Sequence, residues 1–199
     1  MNRRDVIEAF ARRRGDAPVI VGPGVSGRML FECGHRPATI YNMDMGYAVP
    51  MCMGLALALP GERVYALEGD GSLLTSLGAL TTIARYHPPN LVVIVLDNGV
   101  YLTTGAIPTA SGTGADLAGI GRASGMAHAV AVRDLAAFEQ ELDRATREDG
   151  PFLIVAQVEA QDRAGPAGYH AYPFDIVESA ICFRRDLVDR GLVPPIWAV

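Results

Sequence analysis

The sequence predicts an α/β protein built on a doubly wound, mainly parallel sheet with helices on both faces. Three observations carry this reading. Short apolar runs alternate with segments of helical period from residue 2 to residue 158. The apolar runs are continuous rather than alternating, as in strands covered on both faces. Glycine-rich turns follow two of the runs, at the strand ends where open α/β sheets take their ligands.

Length and composition bound the rest. A chain of 199 residues suits one domain, able to bury about 70% of its unfolded surface. The body is expected over residues 1–158, with 159–199 as a C-terminal extension. The net charge of −5 and the lack of basic runs argue against nucleic acid and anionic membrane as partners. The chain shows neither a signal peptide nor an apolar run long enough to span a bilayer. Cys33, Cys52 and Cys182 are scattered without a C-x-x-C pair, which supports neither zinc nor an iron–sulfur cluster. A reduced, cytoplasmic protein is expected. All 17 basic residues are arginine, so a Schiff-base lysine and the lysine of a phosphate-binding P-loop are excluded.

Residues 2–14 read as an amphipathic helix with Val6, Ile7 and Phe10 inward and the arginines Arg12, Arg13 and Arg14 on a solvated face. Residues 17–21 form the first strand. The glycine-rich loop 22–28 follows, without the G-x-G-x-x-G register and with Pro23 inside it. Its position at a strand end puts Arg28 toward a site mouth. Residues 29–33 are helical and capped by Gly34, and 38–41 are a short strand. Residues 42–50 lead into an apolar helix at 51–59. The four methionines at 43, 45, 51 and 53 suit a pliable core or interface.

Residues 63–68 are the next buried strand, and Gly69-Asp70-Gly71-Ser72 is a tight turn. Leu73, Leu77, Leu80 and Ala84 give one apolar stripe to a helix over 72–87, stopped by Pro88-Pro89-Asn90. Residues 91–96 form a second strand that ends at Asp97-Asn98-Gly99. A right-handed crossover returns this strand parallel to the first, with Asp70 and Asn98 just past the two carboxyl ends. Neighbouring strands lie about 4.8 Å apart, so a carboxylate and an amide oxygen can reach one hard cation such as Mg²⁺. Gly71 and Ser72 offer backbone N–H groups to a phosphate.

Beyond Tyr101, residues 102–114 are small and hydroxyl-rich, the composition of a mobile site loop. Helices at 115–124 and 133–147, the latter capped by Asp134 and lined inward by Ala137, Leu142 and Ala145, alternate with strands at 127–132 and 151–158. Residues 175–190 form one more helix. His35, His87, His128 and His170 read as ordinary histidines rather than catalysts.

G-D-G, 26 residues, then Asn, across strand, helix and strand, resembles the motif of the thiamine-diphosphate-dependent enzymes. The resemblance implies Mg²⁺ held by Asp70, Asn98 and the carbonyl of Val100, with thiamine diphosphate against Gly69, Gly71, Ser72 and Tyr101. It also implies that Met45, just before Gly46, wedges between the two cofactor rings, and that the carbonyl of Met43 accepts the 4′-amino group. The stretches G-D-G-S-L-L, L-G-A-L-T-T-I and L-D-N-G-V-Y-L-T-T-G are most similar to the β subunit of sulfopyruvate decarboxylase and to the phosphonopyruvate decarboxylases. That likeness implies a carboxy-lyase subunit acting on a small 2-oxo acid. Its partner would be an α subunit with a pyrimidine-binding domain that supplies the catalytic glutamate, in a hetero-oligomer. Two rivals stay open. One is another thiamine-diphosphate enzyme subunit, oxidoreductase or carboligase, although the usual cysteine cluster and the flavin domain are missing. The other is a non-catalytic binding module on the same fold.

Overall fold

The computed structural model describes residues 1–160 and 175–195. Six strands form one parallel sheet: β1 (Val19–Val21), β2 (Thr39–Ile40), β3 (Val64–Gly69), β4 (Leu91–Asp97), β7 (His128–Val132) and β8 (Phe152–Gln157). Their spatial order is β2-β1-β3-β4-β8-β7, with every adjacent pair parallel. The expected fold class is observed.

Side-chain alternation along the strands divides the core into two layers. Val19, Val21, Tyr65, Leu67, Val92, Ile94, Leu96, Phe152 and Ile154 face one layer. Helices α1 (Arg3–Arg13), α2 (Val25–Glu32) and α7 (Leu135–Arg147) cover it with Phe10, Leu30 and Phe138. Ile20, Ala66, Val93, Val95, Leu153 and Val155 face the other. There α3 (Ala48–Ala58), α5 (Gly78–Tyr86), α6 (Leu117–Ala123) and α8 (Ile176–Asp189) contribute Cys52, Leu80, Ala118 and Phe183. Both faces are apolar because both are covered, which explains the unbroken apolar runs.

The helix ends follow local chemistry. Asn2, Asp116 and Asp134 cap α1, α6 and α7 by accepting backbone N–H groups, and Asp175 and Glu178 form a reciprocal capping box on α8. Among the described residues, no helix is long and apolar enough to cross a membrane.

Two expectations are corrected. The helix expected over 72–87 is two: α4 (Asp70–Leu74) and α5. Thr75 breaks it, its hydroxyl and its N–H both bonding the Ser72 carbonyl, at 2.7 and 3.1 Å. Arg14 is buried rather than solvated, its guanidinium donating to Thr39 Oγ1 at 2.7 Å and to the Gly34 carbonyl at 3.0 Å. Arg13 instead turns outward onto Glu139 and Asp143 of α7. The hydroxyl-rich loop expected at the site carries regular structure of its own. A two-stranded ribbon, β5 (Val100–Tyr101) with β6 (Ile107–Pro108), carries a 3₁₀ turn on either side of β6, at Leu102–Thr104 and Ser111–Thr113.

Candidate active site

The strand register brings the two halves of the site together. Gly69 of β3 pairs with Leu96 of β4. Asp70, Asp97 and Asn98 therefore leave the sheet side by side at its carboxyl edge. Asp70 opens α4 and is only 2% exposed. Its Oδ2 accepts the Thr109 hydroxyl at 2.6 Å and lies 2.9 Å from Ser111 Oγ. The same Ser111 oxygen lies 2.8 Å from Asp97 Oδ1, so one hydroxyl proton serves two carboxylates. Burial, and secondarily the charge of Asp70, holds the Asp97 carboxyl above the usual aspartate range, against the hydrogen bond from Ser111.

Two acidic groups joined by one hydroxyl form a concentration of negative charge that a cation would relieve. The Asn98 side-chain oxygen, which accepts a long 3.3 Å bond from the Val100 N–H, adds a neutral oxygen beside them. All these donors are hard oxygens and too few to enclose an ion alone. That is the set Mg²⁺ takes when water and phosphate complete its octahedron. No cluster of three or more acidic, histidine or cysteine side chains capable of a full protein cage occurs among the described residues.

A cleft of about 160 Å³ opens over this edge. Gly69, Asp70, Gly71, Ser72, Asn98, Val100 and Tyr101 line it, together with Met45 and the glycine-rich loop of Pro23, Gly24 and Ser26. Gly71 is a cradle position: a Cβ there would lie 2.3 Å from the Tyr101 ring. Ser72 Oγ accepts the Gly46 N–H at 2.9 Å, tying the Met45-Gly46 turn to the acidic turn. Met45 is 43% exposed, unusual for a methionine with core on offer nearby. Met43 is not among the residues lining the cleft; its N–H donates to the Val21 carbonyl at 2.8 Å.

Arg28 does not line the cleft; its Nε donates to Glu32 Oε1 at 2.9 Å one turn along α2. Among the described residues the cation lining the cleft is Arg3, at the first turn of α1 and buried. His35 sits against Tyr41, His128 stacks on Phe152 and His87 ends α5, all away from the cleft. His170 lies outside the described residues.

Sequence reasoning missed Thr109, Ser111, Arg3 and Glu68. Glu68 is 2% exposed on β3 beneath the turn. Its Oε1 accepts the Gly69 N–H at 3.2 Å, while Oε2 is buried without a hydrogen-bond partner. Burial pushes the carboxyl up to about 7. Gly22 makes room for it, since a Cβ there would overlap Glu68 Oε1. The readable signal was a lone acid inside an apolar strand.

Comparison with known proteins identifies the family of the chain. Residues 35–156 match the thiamine pyrophosphate enzymes in their C-terminal TPP-binding domain. Sulfopyruvate decarboxylase subunit beta of Methanocaldococcus jannaschii is 31% identical over 78% of this chain and 82% of its own length. Phosphonopyruvate decarboxylase of Streptomyces viridochromogenes is 37% identical over 70% of this chain, but the match spans only 35% of that protein. The 4-hydroxybenzoylformate decarboxylase of Rhodococcus jostii RHA1, a thiamine-diphosphate-dependent enzyme, shares the fold over 80% of this chain and 33% of its own, with a TM-score of 0.68 at 23% identity. The matched segment holds both strands of the acidic edge, Met45 and the Thr109 loop, and the chain belongs to the thiamine pyrophosphate enzyme family through its C-terminal cofactor-binding domain.

Proposed function

We propose that this chain is the β subunit of a thiamine-diphosphate-dependent decarboxylase acting on a 3-sulfo- or 3-phosphono-substituted pyruvate. The observation that carries the reading is the acidic strand edge, Asp70 beside Asn98, opening into one cleft with Met45. The named relatives supply the reaction class and the substrates.

Asp70, Asn98 and the carbonyl of Val100 hold Mg²⁺ in this reading. Backbone N–H groups of Gly71 and Ser72 face the diphosphate, and Gly69 and Tyr101 shape its wall. Met45 stands exposed where an apolar wedge bends the cofactor, and the Met43 carbonyl orients its amino group. Thiamine diphosphate, when bound, supplies the electron sink for loss of carbon dioxide from a 2-oxo acid. Arg3 gives the cleft wall a guanidinium, the group best matched to sulfonate or phosphonate oxygens. The only carboxylate lining the cleft among the described residues is Asp70, which is committed to metal. A glutamate for the aminopyrimidine ring then comes from an α subunit with a pyrimidine-binding domain, and the assembly is a hetero-oligomer.

The test is reconstitution. The purified chain should release no carbon dioxide from sulfopyruvate or phosphonopyruvate in the presence of thiamine diphosphate and Mg²⁺, and addition of the α subunit should restore release. Robust turnover by the homogeneous chain would refute the two-subunit reading.

A further inference from the structure

We infer that Thr109 and Ser111 are positioning residues for the metal ligand Asp70, so that the loop they sit on sets the affinity of the cation site. This rests on the reading above, in which Asp70 ligates Mg²⁺, and adds residues outside the G-D-G to Asn98 segment.

The geometry is specific. Thr109 is buried at 2% exposure, unusual for a hydroxyl residue on a loop. Its backbone N–H is fixed to the Gly99 carbonyl at 2.9 Å. Its hydroxyl reaches Asp70 Oδ2 at 2.6 Å and lies 2.9 Å from Ser111 Oγ. Ser111 reaches the same Asp70 oxygen and Asp97. Both hydroxyls thus engage Oδ2, and Oδ1 carries no hydrogen bond among the described residues. A carboxylate held by one oxygen presents the other to an ion in a single orientation. The Gly112 N–H donates to Thr109 Oγ1 at 3.3 Å, which aims the Thr109 proton away from its own loop and toward Asp70. Outer-shell partners of this kind are worth about 10- to 100-fold in metal affinity.

The experiment uses the chain assembled with its α subunit. Mg²⁺ is titrated at saturating thiamine diphosphate, with the melting temperature and isothermal calorimetry as readouts independent of turnover. Thr109→Val keeps the shape and removes the hydroxyl; it should raise the Mg²⁺ dissociation constant by about 10-fold or more. Thr109→Ser should restore it to within about 3-fold, and Ser111→Ala should weaken binding in the same direction. The melting temperature of metal-free Thr109→Val monitors folding, and where it falls sharply Ser111→Ala, a smaller deletion, decides. Unchanged Mg²⁺ affinity in Thr109→Val and Ser111→Ala, with wild-type binding intact, overturns the inference alone. Absence of Mg²⁺-dependent cofactor binding in the wild type overturns the parent reading and the inference with it.

Discussion

Replacing Glu68 by glutamine should flatten the dependence of stability on pH in the metal-free chain. Glu68 lies in β3 with one carboxyl oxygen buried and without a hydrogen-bond partner. Ionising it therefore places a charge where neither water nor a donor can solvate that oxygen. Its carboxyl is pushed from the ordinary value near 4.5 to about 7 by that burial, opposed by hydrogen bonds from Ser72 and the Gly69 N–H. The folded chain keeps the Glu68 proton up to about pH 7, whereas the unfolded chain releases it near 4.5. Between those values the native state binds more protons, so stability falls as pH rises through the window and levels off above it. At about 1.4 kcal/mol for each pKa unit, the loss attributable to Glu68 is about 3 kcal/mol, an upper figure for a site that can relax. The glutamine amide of Glu68→Gln keeps the shape and the acceptor for the Gly69 N–H and cannot ionise. Urea unfolding at pH 5, 6, 7 and 8 should show the wild type losing about 2.5 kcal/mol relative to Glu68→Gln, the part of the loss that falls above pH 5. A wild-type minus variant difference that stays constant across that range would refute the argument.

The other predictions concern ligands and packing. Asp70→Asn keeps an acceptor for Thr109 and Ser111 but removes the charge, so the stabilisation of about 2.7 kcal/mol expected at one hundred times the dissociation constant should vanish from thermal melts with thiamine diphosphate and Mg²⁺; a full shift in that variant excludes Asp70 as ligand. Met45→Leu should retain decarboxylation in the assembled enzyme, because volume and apolar character survive, while Met45→Gly should lower kcat far more than it weakens cofactor binding. Equal activity of the two would reduce Met45 to wall packing. Asn90 donates from Nδ2 to the carbonyls of Ala56, Leu59 and Glu62 at 3.1, 2.8 and 2.7 Å. Asn90→Ala should therefore cost about 2–3 kcal/mol in urea unfolding, and a loss below about 0.5 kcal/mol would show that water replaces those bonds.

The parts legible in the sequence were those set by local periodicity and by parallel topology. The apolar runs at 63–68 and 91–96 and the helical spacing between them were enough to place Asp70 and Asn98 on adjacent strand ends, because a crossover of that length has one favoured hand. Periodicity failed where a side chain competes with backbone. Leu73, Leu77 and Leu80 keep helical spacing straight across the break, and only the Thr75 hydroxyl on the Ser72 carbonyl reveals it. It also failed where polarity was taken for exposure. Arg14 has an ordinary surface composition around it, yet its acceptors, Thr39 and Gly34, lie 25 and 20 residues away. Thr109 is the sharpest case: its partner Asp70 is 39 residues distant, and no local pattern marks one threonine in a hydroxyl-rich loop as buried.

The order of strands bears on how the chain is made. β4 pairs on one side with β3, which precedes it, and on the other with β8, which follows after 54 residues (98–151). During synthesis the sequence Leu-Val-Val-Ile-Val-Leu therefore emerges with one edge unsatisfied. At about 5–20 residues per second, β8 arrives roughly 3–11 seconds later. For that interval a nascent chain presents an uncharged, β-branched edge, the kind that recruits copies of itself from neighbouring ribosomes. Truncation before Phe152 makes the interval permanent. Fragments ending near residue 150 should accordingly partition into inclusion bodies even though they contain Asp70, Asn98 and the whole loop that contacts them.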